Sequence, residues 1–168
     1  MKIDLEENYD KNKVVPWVGG IFCGCVLVFF LALFWWNQRI VPVDVSHCEI
    51  DSGQLTYKIT KTYGTNFIKL EGYAYVPGQS IDYANIKVLA YNSTEDKYYE
   101  LPTESVKKTK ITKKAEDGCN YDNCGFCAVV LAEKMWDDAR FFIRCQNNGV
   151  DILADTGAVF DYLPNTPE

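Results

Sequence analysis

At 168 residues the chain has room for one ordinary domain and a membrane anchor, since domains cluster near roughly 100–150 residues. Its 17 basic and 23 acidic residues leave a net charge of −6, which excludes a general affinity for nucleic acid, because that requires clustered positive charge to displace counterions. The single histidine, His47, excludes every mechanism that needs two imidazoles.

Residues 1–13 read as a short cytoplasmic tail. Val14 to Trp36 contains no charged residue, and at about 1.5 Å of rise per residue a helix of that length crosses a hydrocarbon core of roughly 30 Å. Trp17 near one end and Trp35 and Trp36 at the other fall where amphipathic rings prefer the headgroup level. A cleavable signal peptide would have a shorter apolar region ending in a small-x-small site; here the run ends in Phe34-Trp35-Trp36-Asn37, so an uncleaved anchor is expected. Lys2, Lys11 and Lys13 precede the span and Arg39 follows it, which places the N-terminus in the cytoplasm and the remainder outside. Gly20 and Gly24 have the spacing that lets helices pack closely.

Residues 37–50 are expected to be a linker and 51–163 an all-β, antiparallel, immunoglobulin-like sandwich, with 164–168 a frayed end. From Val43 onward short segments rich in β-branched and aromatic residues alternate with Gly, Pro, Asn and Asp. Leu55, Tyr57 and Ile59 share one face of a strand; Phe67 to Val76 alternates in the same way and ends at the turn Pro77-Gly78. Further strands are predicted over 86–91, 97–101, 105–112, 126–132, 141–145 and 158–163, with a helical turn within 131–136. Strands without intervening helices cannot build a parallel sheet, whose crossovers need a dozen or more residues, so an antiparallel sandwich follows.

Cys23 and Cys25 read as small apolar residues of the span, leaving Cys48, Cys119, Cys124, Cys127 and Cys145 outside it. An extracytoplasmic compartment permits disulfides, and two pairings suggest themselves: Cys119 with Cys124 across a loop, and Cys127 with Cys145 if their strands are neighbours. The alternatives are a zinc site built from the C-x4-C-x2-C cluster with Cys145 and His47 or Cys48, and a thiol-exchange enzyme at Cys124-Gly125-Phe126-Cys127. Structural zinc usually has two close ligand pairs and redox C-x-x-C motifs open a helix, whereas Ala128 to Leu131 reads as a strand; disulfides are preferred. No cofactor and no catalytic set is expected.

Lys107, Lys108, Lys110, Lys113 and Lys114 form a basic cluster in an otherwise acidic domain. They suit an anionic partner, or, more simply, they blunt an edge strand against aggregation. Tyr73, Tyr75, Tyr83, Tyr91, Tyr98 and Tyr99 could stack on sugar rings or a protein surface, although tyrosine is also a common strand residue.

Two resemblances follow from these residues. Asp138 to Cys145 resembles the corner and following strand of an immunoglobulin-like domain, with Ile143 where the corner tyrosine is expected. Gly72-Tyr73-Ala74-Tyr75 with Pro77-Gly78, then Ile86 to Leu101, then Gly125-Phe126 opening a strand, is similar to the small extracytoplasmic sandwich domains that accompany bacterial cell-envelope glycan biosynthesis enzymes. That resemblance implies a non-enzymatic envelope protein partnered by the membrane and by surface polysaccharide or the machinery that makes it. The other expectation is a small subunit that docks on a multi-span membrane protein through its helix.

Overall fold

The computed structural model describes residues 11–161 apart from 38, 65, 82 and 84. Most of the tail assigned to 1–13, and all of 164–168, lie outside the described residues. The chain divides into two units, Met1–Gln38 and Arg39–Glu168.

The first unit is a helix, α1 (Lys11–Asn37). Within it Val14–Trp36 spans 23 residues with a mean hydropathy of 2.5, and its apolar stretch has no residue buried, so it is long and apolar enough to cross a membrane. The helix begins before the apolar run does. Pro16 therefore lies inside it rather than in its first turn, where the missing N–H removes one backbone bond.

The second unit is a β-sandwich. Its strands are β1 (Val41–Val43), β2 (Glu49–Ile50), β3 (Thr56–Tyr63), β4 (Phe67–Tyr75), β5 (Asn85–Asn92), β6 (Lys97–Glu100), β7 (Thr103–Val106), β8 (Gly125–Leu131), β9 (Arg140–Asn147) and β10 (Val150–Val159). A short helix, α2 (Thr109–Ala115), precedes β8, and the predicted helical turn after β8 is a 3-10 turn at Ala132–Lys134. Six strands form one sheet in the order β1-β6-β5-β9-β10-β2 and four form the other as β3-β4-β8-β7. Pairing is antiparallel apart from the two-residue contact of β2 with β10.

Period-two alternation decides which residues meet between the sheets. Ile68, Leu70, Phe126, Ala128 and Val130 of the smaller sheet share one buried cluster with Ile86, Val88, Phe141, Ile143 and Ile152 of the larger. Along β3 the inward residues do more than fill space: the Tyr57 hydroxyl donates to the Asp155 carbonyl at 2.9 Å and Lys61 Nζ donates to the Val159 carbonyl at 2.7 Å. Both bonds tie the edge of one sheet to β10 of the other.

Three segments depart from the sequence-based expectations. Residues 37–50 are not a plain linker, because β1 joins one edge of the larger sheet, β2 joins the other, and Val43, Val45 and Cys48 between them cover Leu89, Phe142 and Leu153 on that sheet's outer face. Burying these apolar side chains stabilises the strap far more than a solvated linker would be. The strand expected over 105–112 stops at Val106, and Thr109–Ala115 is helical. The last strand is Val150–Val159 rather than 158–163; Asn148 and Gly149 have φ of 49° and 83° and make the two-residue turn whose twist suits the β9–β10 hairpin.

Candidate functional site

The lysine cluster sits on the helix that replaced the expected strand. Lys107 and Lys108 lead into α2, while Lys110, Lys113 and Lys114 lie on it, so the lysines do not serve as charges along an edge strand. The segment 107–111 is held over the outer face of the smaller sheet. Lys108 N–H donates to the Asp122 carbonyl at 2.7 Å, and the Thr112 hydroxyl donates to Asp122 Oδ1 at 2.6 Å while accepting from Tyr121 N–H at 2.9 Å.

Between that segment and the sheet runs an open groove of about 520 Å³. Lys58, Lys107, Lys108 and Lys110 are among the residues that line it, and Glu71 and Tyr73 lie on its sheet side. Gly125 explains how Lys108 fits: a Cβ there would stand 2.5 Å from the Lys108 side chain and 2.2 Å from the Val106 carbonyl oxygen. Glu71 is the one carboxylate among the lining residues, and Lys69 Nζ holds it at 2.6 Å. That hydrogen bond and charge keep the Glu71 carboxyl below the ordinary glutamate range. Lys113 and Lys114 are not among the residues that line the groove. Lys58 is the member that sequence reasoning missed; its outward position was readable from its place between Tyr57 and Ile59, but nothing in the sequence brings β3 under residues 107–111.

The groove floor continues into an aromatic ladder. Tyr73 stacks on Tyr75 with ring centroids 6.2 Å apart, and Tyr75 packs on Tyr121 at 4.3 Å. Tyr121 is fully buried; its hydroxyl accepts from Gly78 N–H at 2.7 Å and donates to Asp117. Burial and the Asp117 bond raise the phenol well above its ordinary range.

All seven cysteines carry free thiols in this structure. Cys119 and Cys124 pack on the same small cluster with Ile81 and Tyr121. Cys127 and Cys145 are not on neighbouring strands: β8 and β9 belong to different sheets, and alternation turns Cys127 to the outer face while Cys145 is buried in the core. That pairing is therefore excluded by geometry. Burial pushes the Cys124 and Cys145 thiols up to about 11, so in this fold neither is an activated thiolate near neutral pH. The residues after Cys124 form β8, so no helix dipole activates them.

The zinc set considered from the sequence does not converge either. Cys119 and Cys124 lie in the loop cluster, Cys145 in the inter-sheet core, and Cys48 on the opposite face of the larger sheet. Among the described residues, His47, Cys48 and Asp151 do bring ligand atoms within 4.8 Å of one another, but Arg144 already occupies the centre. Its Nε donates to Asp151 Oδ1 at 2.8 Å, its Nη2 reaches Asp151 Oδ2 at 2.5 Å and His47 Nε2 at 2.8 Å, and Gln146 Nε2 donates to Asp151 Oδ2 at 2.8 Å. A cation there would meet the guanidinium head-on. The cluster is a latch that fastens the strap to β9 and β10. Burial, partly offset by Arg144, raises the Cys48 thiol, so it is no activated nucleophile.

On α1, Trp17, Trp35 and Trp36 are exposed, and a Cβ added at Gly20 or Gly24 would meet nothing within 4 Å. Pro16, Trp17, Gly20 and Ile21 line a shallow notch on the helix surface. No family model matches the chain, and no curated protein or solved structure matches it.

Proposed function

We propose that this chain is a non-enzymatic protein of a bacterial cell envelope, fixed in the membrane by α1 with its N-terminus in the cytoplasm, whose external immunoglobulin-like sandwich binds or positions surface glycan or the machinery that makes it. The observation that carries the reading is the pairing of an apolar helix with none of its span buried and a separately cored sandwich that opens a lysine-walled groove beside Tyr73. Removing residues 39–168 while keeping α1 should change surface polysaccharide in amount, chain length or linkage. Polysaccharide unaltered in all three respects would remove the reading.

An external sandwich also favours a disulfide between Cys119 and Cys124, which share one packing cluster. Closing so short a loop stabilises the domain by about 2 kcal/mol in the chain-entropy account. Non-reducing mass spectrometry of protein from its native membrane should find this linkage, with Cys127 and Cys145 as free thiols. A linkage involving Cys145 would contradict the observed packing.

A second reading rests on the notch at Gly20: the helix docks a multi-span partner and the sandwich caps the complex. Small residues let helix backbones approach closely in lipid. Exchange of α1 for an unrelated span should then abolish co-purification of that partner, and retained co-purification would sink this reading.

A further inference from the structure

We infer that the groove between residues 107–111 and the outer face of the β3-β4-β8-β7 sheet is the binding site for a linear anionic glycan, one that carries a phosphate or carboxylate on each repeating sugar or polyol unit. This rests on the glycan reading above and names the site and the ligand class within it. Four observations converge. Lys58, Lys107, Lys108 and Lys110 come from two separate segments of the chain yet face one space. Among the described residues none of the four ammonium groups has an ion pair. The lining carboxylate, Glu71, is paired with Lys69 at 2.6 Å, which offsets much of the negative charge it turns toward Lys108. Finally, the upper wall is not a loose loop, because Asp122 holds it at Lys108 and Thr112.

The size and the chemistry select the ligand. A volume of about 520 Å³ lies within the range of roughly 300–1,000 Å³ typical of small-ligand sites, and the groove is open rather than enclosed, so a chain can lie along it with two or three units engaged. Lysines act as point charges toward phosphate or carboxylate, and Tyr73, backed by Tyr75, offers an aromatic face against which the carbon skeleton of a sugar or polyol packs. In a protein of net charge −6 such a local field draws an anion to this face.

The test uses the full chain in nanodiscs of phosphatidylcholine, titrated with polygalacturonate, poly(glycerol phosphate) and neutral dextran. Both anionic polymers should bind saturably and dextran should not. The double variant Lys58→Gln/Lys108→Gln should weaken binding about tenfold and flatten its salt dependence, as the loss of two counterion-releasing contacts requires. Lys107→Gln/Lys110→Gln should do the same should the first variant melt early, whereas Lys113→Gln/Lys114→Gln, with equal charge removed outside the groove, should leave binding within about twofold. Equal losses in the groove and outside pairs would overturn the inference, since they would mean diffuse attraction. Glycerol phosphate monomer binding as tightly as the polymer would also overturn it, by assigning the groove to a lipid headgroup or small anion. Binding of dextran alone would overturn the anionic site while leaving the glycan reading standing; no binding by any polymer, together with unaltered surface polysaccharide on removal of residues 39–168, would end both.

Discussion

Tyr121→Ala is expected to destabilise the sandwich by about 3–5 kcal/mol, the range for emptying a buried aromatic site. For a domain of this size that is a fall in Tm of roughly 10 °C or more. The ring is fully buried between Ile81 and Cys124, and it anchors a loop that has little other core. The loop's other connections are hydrogen bonds, among them Asn120 N–H to Ser80 Oγ at 3.0 Å, Ile81 N–H to the Asn120 carbonyl at 2.7 Å, Cys124 N–H to the Tyr121 carbonyl at 3.0 Å and those of Asp122 and Tyr121 with Lys108 and Thr112. Without the ring these bonds must hold an emptied pocket against water. Tyr121→Phe separates packing from hydrogen bonding, since it keeps the ring and removes only the acceptor for Gly78 and the donor to Asp117; it should cost about 1 kcal/mol. Thermal unfolding of the full chain in micelles, followed by the β-sheet circular dichroism signal, checks both. Equal effects of Ala and Phe would mean that the hydroxyl, and not the ring, holds the loop. Because residues 120–122 also bear the upper wall of the groove, Tyr121→Ala should weaken anionic-polymer binding even at temperatures where the sandwich stays folded.

Asp151→Asn is expected to cost about 2–3 kcal/mol near neutral pH, because it leaves the Arg144 guanidinium without its counter-charge in a largely dehydrated place. The side chains of Arg144 and Asp151 are 10% and 19% exposed. The bond from Arg144 is the main reason that the Asp151 carboxyl falls from the ordinary 3.8 to about 2. The native state therefore binds the Asp151 proton more weakly than the unfolded chain does. The stabilisation is fully present above about pH 4, shrinks as pH falls toward 2 and is lost below both values. Denaturant titrations of wild type and Asp151→Asn should accordingly differ at pH 7 and converge as pH drops from about 4 to about 2. A gap that stayed constant across this window would show that the pair contributes through shape rather than charge. The variant should also free residues 44–48 first, which hydrogen exchange at Ser46, His47 and Cys48 would detect, because the latch joins that strap to β9 and β10.

Local chemistry accounts for what was legible in the sequence. A helix long and apolar enough to cross a membrane follows from a charge-free run whose length matches a bilayer, a property of consecutive residues that needs no tertiary partner. Strands β4 and β8 follow from alternation, since one face of each is buried and the period is two, and the buried and outward sides of Phe67 to Tyr75 match that pattern; β5 and β9, buried on both faces, follow instead from their short runs of β-branched and aromatic residues. The helical turn after β8 and the strand after Cys124 were readable for similar local reasons.

What sequence could not decide depends on contacts between distant segments. Thr109–Ala115 is β-branched and basic enough to read as a strand, yet β7 ends at Val106 where its partner β8 begins at Gly125, and without a ladder the chain winds into a helix held by Asp122. Residues 43–48 carry too few apolar side chains to announce a strap; they become one because Leu89, Phe142 and Leu153 form an apolar strip on the far face of a sheet assembled from β5, β9 and β10. Asp151 and Asp155 mask the alternation of β10, and they are tolerated there because Arg144 and Arg140 of the neighbouring strand form ion pairs with them. The groove is the clearest case. Lysines at 107, 108 and 110 were visible as a run, but Lys58 and Tyr73 join them only through sheet pairing and through a turn at residues 117–124 that folds α2 back over β4 and β8, and long-range pairing of this kind is set by the packing of the whole domain rather than by any one stretch of chain.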